Sequence, residues 1–76
     1  MVFQDWIIET FGERGVAEAA RYLGDPYNTV VSWVKLGRYP STKKQEMLML
    51  KSKGKLNFNV WRTEFLQAER DREAQQ

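Results

Sequence analysis

Asn28, Val31, Ser32 and Lys35 lie in the stretch LGDPYNTVVSWVKLGRYP, residues 23–40, and at about 100° per residue they fall on one side of a helix. An amide, a methyl pair, a hydroxyl and a cation are the groups that read base edges in a DNA major groove. Asn pairs with adenine, Ser donates or accepts, a valine methyl meets the thymine methyl, and Lys reaches guanine or phosphate. Tyr27 and Thr29 flank that side, and Pro26, Val30, Trp33 and Val34 fall in the opposite, inward sector. Most helices have a polar outer face, so residue types alone leave a solvated surface as the competing reading.

Composition removes other chemistries. The chain has no Cys and no His, which excludes disulfides, thiolate zinc sites and the usual nucleophile–histidine arrangements. Catalysis would have to run on carboxylates, Lys or Tyr, with no Gly-rich phosphate loop to help, so neither an enzyme nor a metal, cofactor or small-molecule substrate is expected. A Cys-free chain fits a reducing cytoplasm. No apolar run approaches the roughly 20 residues that cross a bilayer, and the start MVFQDW carries an early acid, so neither a membrane partner nor a basic leader is expected. The net charge of +2 conceals a segregation: residues 14–62 balance at +7, the first 13 at −3 and residues 63–76 at −2. A basic middle between acidic ends points to a polyanion-facing surface, or to solvated faces only.

The elements that must position these side chains are helical, and the class read from spacing is all-α: a compact bundle of four to five short helices in a single domain over 1–70. Phe3, Trp6, Ile7 and Thr10, with Ile8 and Phe11 beside them, place a first helix at about 2–11, ended at Gly12. Val16, Ala19, Ala20 and Leu23 share one face of a second, about 14–22, ended by Gly24. Asp25 is placed to cap a third helix, about 26–36, with Pro26 at its first position and Gly37 at its stop. Pro40 biases Tyr39 toward extended geometry. Thr42 and Gln45 form a Thr-x-x-Gln capping box for a fourth helix, about 42–53, stopped by Gly54. Residues 56–60 alternate like a strand, yet Phe58, Trp61, Phe65 and Ala68 fit a helix, which is placed at about 59–71. The polar residues 71–76 are expected to fray.

Two short helices joined at a glycine, with small residues on the first and Val30 and Trp33 inward on the second, can cross closely. The pattern of Ala20, Leu23, Gly24, Val30 and Trp33 resembles the helix-turn-helix of small phage Cro and lambda-type repressors, and Trp33 with Gly37-x-x-Pro40 is similar to the ending of Cro-like domains. The resemblance covers residues 14–50, about half the chain. It implies a sequence-specific double-stranded DNA-binding regulator of transcription, a repressor, acting on the nucleoid of a bacterial or phage-infected cell. The recognition helix is then 26–36, and the base readers are Tyr27, Asn28, Val31, Ser32 and Lys35. One position departs from the family: the residue after the turn glycine, usually apolar, is Asp25, which bears on how the first turn and Tyr27 sit.

Phosphate contacts are expected to flank that helix at Arg14, Arg21, Thr29, Arg38, Lys43 and Lys44. Lys51, Lys53 and Lys55 form a second cluster, for which a solvated helix end is at least as good a reading. Met47, Leu48, Met49 and Leu50 point around more than half of the fourth helix and cannot all enter one small core. A homodimer through Met47, Leu50, Phe58, Trp61 and Phe65 would cover them and match two half-sites, and a purely intramolecular core is the alternative. The competing function is a protein-interaction adaptor or inhibitor on the same scaffold, acting through Met47–Leu50 and Trp61.

Overall fold

The computed structural model describes residues 1–75 and contains five helices: α1 (Phe3–Phe11), α2 (Val16–Leu23), α3 (Tyr27–Val34), α4 (Thr42–Lys51) and α5 (Phe58–Ala74). Among the described residues there is no strand, so the chain is all-α. Phe3, Trp6 and Ile7 form the buried stripe of α1, while Thr10 is exposed. Gly12 ends the helix with its N–H on the Ile8 carbonyl, 2.9 Å away. The turn to α2 closes on Gly15, where an added Cβ would stand 2.3 Å from the Phe11 Cβ. Because residues 13–15 are spent on this turn, α2 starts at Val16 and not at 14.

Four helix ends differ from the sequence expectation for physical reasons. Asp25 does not cap α3: the cap position is Pro26 (φ −59°, ψ 145°), whose ring lies exposed, and the Asp25 side chain turns toward α4. At its other end α3 stops at Val34 because Leu36 adopts a left-handed conformation, φ 61°, with its N–H on Trp33 O and the Gly37 N–H on Ser32 O. The same closure ends α4 at Lys51: Lys53 is left-handed, φ 57°, bonded to Leu50 O, and Gly54 N–H reaches Met49 O. In both cases a left-handed non-glycine residue precedes the glycine, and Gly54 is itself left-handed, φ 78°. The Thr42–Gln45 capping box does not form. Ser41 caps α4 by accepting from Lys44 N–H at 3.3 Å, and the Gln45 amide donates to Pro40 O.

Helix α5 starts at Phe58, with the Asn57 side chain accepting from Val60 N–H at 3.1 Å. It continues to Ala74, so residues 71–74 are helical and not frayed, and only Gln76 of that expectation lies outside the described residues. Residues 55–57 are outside any helix and pair with the chain start: the Met1 ammonium donates to Lys55 O and Asn57 N–H to Met1 O, both at 2.8 Å.

All five helices share one apolar core, made by Phe3, Trp6, Ile7, Ala19, Ala20, Leu23, Val30, Trp33, Leu48, Leu56 and Trp61. At its centre Phe3 stacks on Trp61, ring centres 4.8 Å apart and 6° from parallel, and meets Trp33 edge-on at 5.8 Å. Trp61 is 1% exposed, so it belongs to this core and cannot serve a dimer interface as expected. Phe65 is half-buried against Tyr39, ring centres 5.6 Å apart. Leu50, by contrast, is 81% exposed, so of the apolar run of α4 the core covers Leu48 fully and Met47 in part, and Met49 and Leu50 stay exposed.

Candidate nucleic-acid interface

Helices α2 and α3 are joined by Gly24, Asp25 and Pro26. Gly24 is left-handed, φ 75°, and the N–H groups of Gly24 and Asp25 both reach Ala20 O, at 2.9 and 3.2 Å. This pair of hydrogen bonds to one carbonyl turns the chain within three residues and closes the C-terminus of α2. Buried Ala19 and Ala20 let α3 approach, and Val30 and Trp33 fill the space between the helices.

With Val30 and Trp33 committed to the core, the opposite side of α3 is accessible. Tyr27 is 56% exposed, Asn28 and Lys35 are exposed, and Val31, Ser32 and Thr29 are half-buried. Ser32 Oγ donates to the Asn28 carbonyl at 2.9 Å. Its proton is therefore used within the helix, and the hydroxyl offers lone pairs outward. Four of the five expected base readers thus lie on α3 and Lys35 is its C-cap, while the expected phosphate contacts other than Thr29, itself on α3, come from four further segments. Arg14 precedes α2, Arg21 lies on α2, Arg38 follows the left-handed turn after α3, and Lys43 and Lys44 occupy the first turn of α4; all but the half-buried Lys44 are exposed.

Lys44 has a partner that local sequence does not reveal. Its Nζ lies 2.5 Å from Asp25 Oδ1, and the Asp25 side chain is only 4% exposed. Asp25 Oδ2 is buried without a hydrogen-bond partner. The pair holds the start of α4 against the α2–α3 turn and offsets the buried acid, so little of its charge faces outward. It also draws the Lys44 ammonium toward the turn, leaving Lys43 as the freer cation at that helix start. The signal is 19 residues apart in sequence and has no periodicity.

Two further contacts brace this side of the molecule. Tyr39 OH donates to Phe58 O at 3.0 Å, and burial pushes its phenol above the usual 10.0 while the nearby Arg62 charge opposes the shift. Arg72 Nη1 donates to Leu36 O at 3.2 Å, so the last turns of α5 reach the turn that ends α3. Among the described residues no group of three or more acidic, His or Cys side chains could hold a metal, and no helix is long and apolar enough to cross a membrane. Comparison with known proteins finds no match to a family model, a curated protein or a solved structure.

Proposed function

We propose that this chain is a sequence-specific double-stranded DNA-binding regulator of transcription, a repressor of the small Cro-like kind, with α2 and α3 as its helix-turn-helix and α3 entering the major groove. The observation that carries the reading is the division of α3. Val30 and Trp33 are buried in the core, and Tyr27, Asn28, Val31, Ser32 and Lys35 share the accessible side, with exposed Arg38 following the helix and exposed Lys43 in the first turn of α4. A helix with its side chains is about 10–12 Å across and the major groove is about 12 Å wide, so α3 can enter the groove with its accessible side toward the base edges. Arg14, Arg21, Thr29 and Lys44 remain candidate phosphate contacts, Lys44 through ammonium protons that Asp25 does not take. The protein acts in a reducing cytoplasm, as a homodimer joined through Met47, Leu50 and Phe58, with Phe65 and Trp61 serving its own packing.

The test is selection from random duplex DNA over a salt series, with molar mass measured on the free protein. A selected sequence should emerge, affinity should fall steeply with salt, and Asn28→Ala should lose discrimination between sequences more than affinity for unrelated duplex. Equal loss on every duplex would refute the base-reading role of α3. Leu50, 81% exposed between shallow grooves lined by Met47 and by Met49 and Phe58, favours the second reading, a protein-interaction module. Tight complex formation with another protein and no retention of DNA at low salt would select it.

A further inference from the structure

The lysines of the second cluster converge. Lys51, Lys53 and Lys55 line one recess of about 220 Å³, with Trp6, Thr10, Phe11 and Tyr22 on its other sides. It lies where the ends of α1 and α2 meet the segment after α4, and α3 contributes nothing to it. We propose that this recess binds a small organic anion with a flat apolar body, one ring bearing a phosphate or carboxylate, at a site separate from the DNA-reading side and independent of that reading.

The simple explanation for lysines at a helix C-terminus is that they serve its free carbonyls. Here those carbonyls are already occupied. Leu48 O accepts from Ser52 N–H, Met49 O from Gly54 N–H and Ser52 Oγ, Leu50 O from Lys53 N–H, and Lys51 O from the Tyr22 hydroxyl at 3.0 Å. The ammonium groups are left with little else. Lys51 Nζ stands 4.9 Å over the Tyr22 ring, Lys55 Nζ is 4.0 Å from a half-exposed Glu9 carboxylate, and Lys53 has no acidic partner within 4.0 Å among the described residues. Three cations line this recess against a single loosely held acid, a balance of charge that attracts an anion. The wall selects the rest of the ligand. Trp6, Phe11 and Tyr22 have ring centres 5.6 to 6.4 Å apart; half-buried Phe11 and exposed Tyr22 present apolar surface to a planar group, and buried Trp6 backs them. The volume equals roughly seven waters at about 30 Å³ each, which suits one substituted ring and is below the usual size of drug-like sites.

The experiment is titration of the full chain, followed by amide and indole NMR, with phenyl phosphate, phenol and inorganic phosphate as probes. Phenyl phosphate should saturate and shift the Lys51–Lys55 amides and the Trp6 indole, with phenol and inorganic phosphate each about tenfold weaker or worse. Lys53→Gln and Lys55→Gln, both at exposed positions, should each weaken phenyl phosphate about fivefold, and Lys43→Gln should leave it unchanged. Inorganic phosphate matching phenyl phosphate, shifts confined to α3 and the start of α4, or equal loss with Lys43→Gln would overturn the proposal. DNA binding is read separately, so failure here leaves the α3 reading standing, and the reverse.

Discussion

Ser32 decides more about α3 than its polarity indicates. Because its proton is donated to Asn28 O, the hydroxyl reaches outward as an acceptor, suited to the amino group of adenine or cytosine. In the proposed complex, Ser32→Ala should lower the preference for one such base pair by about 1 kcal/mol and leave non-specific affinity intact, which competition binding on single-base operator variants measures. Asp25 makes a contrasting case. Asp25→Asn removes the charge that Lys44 answers while keeping shape, and it should lower stability by about 1 kcal/mol in urea unfolding, less than for a fully buried pair because the Lys44 side chain is 44% exposed. Neither property was legible in the residue string. Asn28, Val31 and Ser32 could be placed on one side by spacing, but the direction of a hydroxyl proton and a partner 19 residues away depend on the folded backbone.

At the scale of elements, the helix boundaries show which local signals are reliable. Apolar spacing placed all five helices, since a buried stripe must recur every three to four residues. The ends were harder to read, because Ser41 and Thr42 both qualify as caps and only the path from Pro40 chooses between them. Lys53 stands in a left-handed conformation that glycine adopts without cost. Lys53→Gly should therefore raise stability by roughly 0.5–1 kcal/mol, visible as a higher urea midpoint at unchanged slope, and a lower midpoint would show that its side chain matters more than its backbone. Gly15→Ala should act oppositely. A Cβ there meets Phe11 at 2.3 Å, so the α1–α2 turn must open, at a cost of about 1–3 kcal/mol in the same measurement.

For the molecule as a whole, stability rests on the aromatic centre. A chain of 76 residues has roughly 4–11 kcal/mol in total, and Trp61→Ala at a fully buried ring should remove about 3–5 kcal/mol, enough to populate the unfolded state in a thermal melt. Tyr39 ties the segment before α4 to α5 and sets an alkaline limit. Its phenol is raised in the folded chain, so below pH 10 it is neutral in both states and its full contribution is present. Above that the unfolded chain ionises first, and stability falls until the folded phenol titrates too. Tyr39→Phe should flatten this part of the stability–pH curve above pH 10, and an unchanged slope would assign the decline to other groups.

Sequence by itself determined the all-α class, the first four helices, the inward assignment of Val30 and Trp33, and the absence of Cys and His chemistry, because each follows from residue type and from periodicity within a single helix. Only the tertiary structure decided that Trp61 belongs to the core while Leu50 stays exposed, that Asp25 holds Lys44, that α5 reaches Leu36, and that three lysines share one aromatic recess. The reason is common to these. An apolar or charged side chain records how it contrasts with water but not which distant segment it meets, and that choice is made when helices far apart in sequence compete for the same small core.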